Sequence, residues 1–186
     1  MLMVSMGVSI DGFITDRDGG FAWGPPSDEQ FDFHLEQVSG LGGLLLGRRL
    51  YETMLPWETD PAMRSSDTYA AFADVWTALP KVVFSRTLDR VERNARLADA
   101  PLEEEIARML AATDRDVEIG GPTLAAPAIE QGLVDEFHLF RQPVLVGGGT
   151  RLLPPVRETI QLELLATRTF GDRVVYEHYR RVGAAA

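Results

Sequence analysis

The chain contains no cysteine. That removes disulfides, thiolate nucleophiles and cysteine-type zinc sites, and it is compatible with a reducing cytoplasm, the expected location. Basic residues are also scarce. Eighteen Lys and Arg face 28 Asp and Glu, a net charge of −10. A phosphate-backbone binder needs a basic face, so no nucleic-acid partner is expected. No apolar run approaches the roughly 18 residues of a membrane helix, so no membrane partner is expected either. The first residues, "MLMVSMGVSIDG", lack the basic n-region of a signal peptide and read as a strand. Only three histidines occur. His34, His138 and His178 read as structural or surface residues, and no metal site is expected. No Gly-x-Gly-x-x-Gly follows any strand, which excludes the common dinucleotide fold.

What is present fits a soluble globular protein: 45% apolar and 25% charged residues in 186, enough to bury a substantial core. With no repeat and no low-complexity linker, residues 1–182 read as one domain and 183–186 as a disordered tail. Leu2, Val4, Met6, Val8 and Ile10 alternate with Met3, Ser5, Gly7 and Ser9. This is strand period, with one large apolar face and one mostly small face. The small face serves either tight packing under a helix or a flat ligand ring. Asp11-Gly12 marks the strand exit, and Phe13-Ile14-Thr15 leads into a loop.

Helices are expected from Ser27 or Asp28 with Phe31, Leu35 and Val38 on one face, from Ser66 or Asp67 to Pro80, and over "PLEEEIARMLAA". The acidic start of the last suits the helix dipole. "KVVFSRTL" and "VDEFHLFRQPVLV" read as strands. "IQLELLATRTF", the turn Gly171-Asp172 and "RVVYEHYRRV" read as an antiparallel hairpin. Strands alternating with helices predict a three-layer α/β/α domain, mostly parallel, with antiparallel C-terminal strands.

Ligands in such folds collect beyond the carboxyl ends of the strands, and three strand ends carry suggestive chemistry. In "LLLGRRLYE", Gly47 permits close backbone approach, and Arg48 and Arg49 start a helix against its dipole. That arrangement is either a plain turn or an anion site. Ser85 and Arg86 end "KVVFSRTL" with a hydroxyl and a guanidinium. In "DVEIGGPTLAAPAIEQG", Gly120 and Gly121 precede Pro122 at a first helical position, either a tight turn or a pyrophosphate seat.

Taken in order, "VSMGVSIDGFI", "LLLGRRLYE", "KVVFSRTL", "EIGGPTLAAPAIEQGLVDEFHL" and "PVLVGGGTRLL" resemble the dihydrofolate-reductase-like superfamily. The branch most resembled holds the reductase domain of bacterial riboflavin-biosynthesis deaminase/reductases. The resemblance spans nearly the whole chain. It implies NADPH bound across strand ends, with Gly47, Arg48 and Arg49 at its phosphates and Ser85 and Arg86 at the adenosine 2′-phosphate. Gly120, Gly121 and Thr123 would lie at the pyrophosphate, and Gly7 and Ile14 would flank the nicotinamide. The implied activity is hydride transfer to a C=N or C=O of a small heterocyclic or ribosylamino-pyrimidine-like substrate, in a homodimer. Dihydrofolate or pterin reduction and non-catalytic NADPH binding are the alternatives.

This sequence departs from the superfamily's pattern. Leu50 stands where many members carry threonine, and Leu124 where folate reductases have tyrosine. The substrate carboxylate is not fixed: Glu29, Asp28 and Asp11 are the candidates, and Asp32 lies beside the first two. His34-Leu35-Glu36 spells the H-x-E of the fused deaminase, but zinc binding there also needs cysteines that the chain lacks.

Overall fold

The computed structural model describes residues 1–23, 26–171 and 173–184. Asp172 of the expected hairpin turn and residues 185–186 of the expected tail lie outside them. Within that tail, the Ala184 amide donates to the Arg181 carbonyl at 3.0 Å.

The chain's alternating segments become the strands β1 (Leu2–Ser9), β2 (Phe13–Thr15), β3 (Leu41–Gly47), β4 (Lys81–Phe84) and β5 (Ala95–Leu97). They continue as β6 (Asp116–Gly120), β7 (Glu136–Gln142), β8 (Thr150–Arg151), β9 (Leu162–Phe170) and β10 (Val174–Arg181). Eight strands form one sheet in the order β5-β4-β3-β6-β1-β7-β10-β9, while β2 and β8 pair separately. From β5 to β7 every pairing is parallel; β10 and β9 join antiparallel. This is the α/β fold expected, with the antiparallel strands at its C-terminal edge.

The helices are α1 (Asp28–Ser39), α2 (Arg48–Met54), α3 (Pro56–Thr59), α4 (Asp67–Ala78), α5 (Leu102–Ala111) and α6 (Pro122–Glu130). Ser27 and Ser66 cap α1 and α4 by accepting from the Gln30 and Tyr69 amides, satisfying donors that a helix start leaves unpaired. The helices α1 to α4 cover one sheet face through Phe31, Tyr51, Phe72 and Trp76. On the other face, α5 and α6 pack through Ile106, Met109, Ala125 and Ile129. The apolar side chains of β1, β3 and β6 are therefore covered on both faces, which is why these strands carry few polar groups.

Lys81 is an exception. It opens β4 fully buried and pairs with Glu58 at 3.0 Å, donating also to the Leu79 carbonyl. Burial lowers its pKa, against the pull of Glu58. The pair ties α3 to the foot of β4. Among the described residues no helix is long and apolar enough to cross a membrane.

Candidate functional site

Two crossovers leave the sheet in opposite directions. From β1 the chain passes through α1 to β3, stepping over β6. From β6 it passes through α6, on the other face, to β7, stepping over β1. Neighbouring strands whose following helices lie on opposite faces leave a crevice beyond their carboxyl ends. Here β3 and β1 flank β6, so the crevice lies above Gly120 and Gly121.

The glycine pair has a first explanation within the chain. A Cβ on Gly120 would run into Leu50 of α2, so Leu50 fills the space that glycine leaves. Gly121 adopts φ +99°, and a Cβ there would stand 3.6 Å from the Gly47 backbone. Only glycine holds such a φ without strain. The β3–α2 and β6–α6 turns thus touch backbone to backbone, and neither α2 nor α6 has a side-chain cap. Two helix starts with unpaired N–H groups face one space, a setting that favours anionic oxygens. Thr123 stands exposed in the first turn of α6.

The rim is basic. Arg48 donates to Glu52 (2.9 Å) and to the Thr87 hydroxyl (2.6 Å), which ties the β3 exit to the β4 exit. Arg49 and Arg86 are exposed. The Ser85 hydroxyl oxygen accepts from the Thr87 and Leu88 amides at 3.2 and 3.0 Å. It organises the turn while its own hydrogen stays available to donate.

The small face of β1 looks toward α1. Gly7 is partly accessible, with only the Phe140 carbonyl 4.0 Å from a Cβ built there. Ile14 of β2 packs against the α5–α6 side of the core. At the exit of β1, Asp11 is fully engaged. It accepts from the Ser9 hydroxyl (2.7 Å) and from the Val146 and Gly147 amides (3.1 and 2.7 Å). The Ser9 bond chiefly, with the two amides, holds its carboxyl at about 2 against a desolvation that works the other way. Asp11 therefore fastens the glycine loop after β7 to the end of β1.

The α1 carboxylates face outward. Asp28, Glu29 and Asp32 are exposed, and Glu29 pairs with Arg168 of β9 at 2.8 Å. The groups that α1 turns toward the sheet are Gln30, His34 and Gln37. Gln30 Nε2 lies 3.2 Å from His34 Nε2, and the His34 ring packs on Phe140 with centroids 4.1 Å apart. Burial drives the His34 pKa down to about 4, so the ring is neutral at pH 7. The spacing i, i+4, i+7 could have exposed this polar stripe, since it repeats a helical face.

Sequence reasoning also passed over Glu118. Val117 and Ile119 face α5 and α6, so alternation turns Glu118 toward α1, below Ser5 and Gly7. Its sheet neighbours there are Met3 and Leu44. Desolvation pushes its pKa up to about 8. An acid between two apolar residues of a central parallel strand was the available signal. Trp57 belongs to the core, packed with Phe31, Tyr69 and Phe72.

Known proteins share this fold. The chain is 31% identical over 179 residues to the uncharacterized protein YyaP of Bacillus subtilis (strain 168), across 94% of this chain and 91% of that one. A putative riboflavin biosynthesis protein from Shewanella sp. PV-4 superposes with TM-score 0.76 at 22% identity, covering 97% and 98% of the two chains. A Thermotoga maritima diaminohydroxyphosphoribosylaminopyrimidine deaminase/5-amino-6-(5-phosphoribosylamino)uracil reductase gives 0.68 at 13% identity, matching 97% of this chain and 56% of that one. Dihydrofolate reductase from Enterococcus faecalis, complexed with NADP(H), gives 0.60 at 17% identity over 98% and 96%. These structural likenesses show a dihydrofolate-reductase-like fold. The RibD C-terminal domain model matches residues 1–176, and the chain belongs to that family.

Proposed function

We propose that this chain is an NADPH-dependent reductase of the riboflavin-biosynthesis type. The observation that carries the reading is the meeting of two uncapped helix starts at Gly47 and Gly121 under a rim of Arg48, Arg49 and Arg86. A multiply phosphorylated, elongated ligand fits that surface. Backbone amides at Gly121 and Thr123 would receive the pyrophosphate, and Ser85 and Arg86 would take the 2′-phosphate.

When bound, NADPH supplies the hydride, which reduces a C=N or C=O carbon of a small heterocyclic or ribosylamino-pyrimidine-like substrate; the adjoining nitrogen or oxygen takes a proton. The protein's own part is to align the partners and keep water out. Gly7 and Ser5 leave β1 flat where the reacting rings would lie, and Asp11 holds the glycine loop after β7 against the end of that strand. Gln30 and His34, turned toward the sheet, would border the substrate, while Asp28 and Glu29 stand exposed at the start of α1. The folate alternative asks for a carboxylate on the inner face of α1, where this chain has Gln30 and His34.

The exposed edge strand supports a homodimer. Leu162, Leu164 and Leu165 of β9 all stand in solvent beside Val175 and Val182, an apolar edge of the kind proteins cover. Sedimentation equilibrium that returns the mass of one chain at micromolar concentration overturns this.

Fluorescence titration with NADPH and NADH, reported by Trp23, Trp57 and Trp76, tests the cofactor. Arg86→Ala should lower the preference for NADPH roughly ten- to hundredfold, as loss of a charge-assisted bond implies. An unchanged ratio removes Arg86 from the site. Tight NADPH binding without turnover on pyrimidine, pterin or simple carbonyl acceptors indicates a binding module.

A further inference from the structure

His138 and His178 are far apart in sequence, but the β7–β10 register sets them directly opposite each other. Glu136, two residues before His138, projects from the same face. The three side chains converge. Glu136 Oε2 lies 2.8 Å from His178 Nε2 and 3.4 Å from His138 Nε2, and the three donor atoms all fall within 4.8 Å of one another. We propose that Glu136, His138 and His178 form a binding site for a divalent transition-metal ion of the zinc type.

Four features of the surroundings carry the inference. The first is donor chemistry: two imidazoles and one carboxylate suit Zn²⁺, and bonds of about 2.0–2.1 Å place tetrahedral ligands about 3.3 Å apart. The spacings present bracket that value, so small side-chain shifts suffice. The second is the outer partner of His138. Its Nδ1 lies 2.8 Å from the Tyr176 hydroxyl, which can accept the Nδ1 proton and leave Nε2 bare toward Glu136. Gln37 Nε2, 2.9 Å from Nδ1, can only donate, so metal binding requires the Gln37 amide to turn its partnerless Oε1 to the ring. A ligating histidine is typically oriented in this way through its other nitrogen.

The third feature is the division of the carboxylate. Arg180 donates through Nε and Nη2 to Oε1 at 3.0 and 2.8 Å, leaving Oε2 to the two rings. Arg180 also stands opposite Glu163 of β9 in the register. The fourth is access and local geometry. Glu136 and His138 are buried while His178 is 21% exposed, which gives a water the open fourth position. The β9–β10 register slips opposite His178 and Tyr179, where β9 carries the extra residue Leu165, and the local twist of the pair increases there.

The cluster lies near the amino end of β7, remote from the crevice at the carboxyl ends. An ion there would clamp β10, and with it the edge strand, to the parallel sheet. It would act on stability rather than on hydride transfer.

Chelator-treated protein titrated with Co²⁺ should take up one ion per chain and show the visible d–d bands of a four-coordinate site, which Zn²⁺ then displaces. Zn²⁺ should also raise the melting temperature, since a ligand bound only by the folded state stabilises it. His178→Asn, which keeps a hydrogen-bonding group on β10, should weaken Co²⁺ binding by roughly a hundredfold or more, as loss of a ligand exceeds the 10–100-fold cost of an outer partner. It should also abolish the zinc-induced shift while leaving NADPH titration unchanged. Should that variant fold poorly by circular dichroism, Glu136→Gln provides the same reading. Absence of Co²⁺ bands in the unaltered chain, or identical Co²⁺ binding in the variants, overturns the proposal and marks any uptake as adventitious.

Discussion

Glu118 and Glu136 stand at one level of the sheet on either side of Met3, and both turn toward α1. They are one residue type in one layer, yet their environments drive them to opposite states. Glu136 has Arg180 and His178 at 2.8 Å and His138 at 3.4 Å. Desolvation pushes its pKa up, but Arg180 and His178 outweigh it, and the pKa ends below the ordinary value. Glu118 has apolar sheet neighbours, and desolvation alone raises it to about 8. Burial therefore does not decide whether a carboxylate is charged; the partners do. Strand order decides the partners, because β7 abuts the polar β10 whereas β6 abuts the leucines of β3.

The largest effect that would test this contrast is expected from Glu136→Ala. It strips the carboxylate from a half-buried guanidinium and two imidazoles, and loss of one member of a buried ionic group costs about 3–5 kcal/mol. Urea denaturation at pH 7 measures it, and a loss under about 1 kcal/mol would mean that the network contributes little.

A smaller effect of opposite sign is expected from Glu118→Gln. Between about 4.5 and 8 the folded chain keeps a proton that the unfolded chain releases. That contribution is complete below pH 4.5, declines as pH rises toward 8 and is flat beyond. The amide cannot ionise, so the variant should lose this slope and melt higher than the unaltered chain at pH 8.5. The gain is at most on the order of 5 kcal/mol, since each tenfold change in proton affinity is worth about 1.4 kcal/mol. Parallel melting curves for the two proteins from pH 5 to 8.5 would show that Glu118 is ionised in the fold, and the contrast would collapse.

These two glutamates also show how far the sequence can be read. Alternation identified β1 and its small face, and Ser27 and Ser66 marked the starts of α1 and α4, because both signals are local. The three-residue β5 is too short to show a period, and β2 and β8 exist only because they pair with each other. The strand expected over 134–146 runs only from Glu136 to Gln142, since Pro143 has no N–H for the ladder. At the site, the glycine pair was visible as a turn, but Leu50 as the cause of Gly120's bareness was not, because Leu50 comes from another crossover. The outward set of Asp28 and Glu29 depends on how α1 is rotated on the sheet. The meeting of His138 with His178 requires a register that nothing between β7 and β10 spells out. Chemistry carried on one segment was legible; chemistry assembled across segments was not.

The placement of β1 has a consequence for how the molecule comes together. It is a central strand, yet both its neighbours are made late, β6 beginning at Asp116 and β7 at Glu136. As synthesis proceeds from the amino end, the β3–β4 pairing and the α1–α4 packing become available while β1 still has no partner. Closing it into the sheet joins ends of the chain distant in sequence, the kind of contact that slows folding. The flat strand proposed to lie beneath the nicotinamide would thus be among the last parts to be secured, so the hollow that receives substrate would take shape only when nearly everything else is in place.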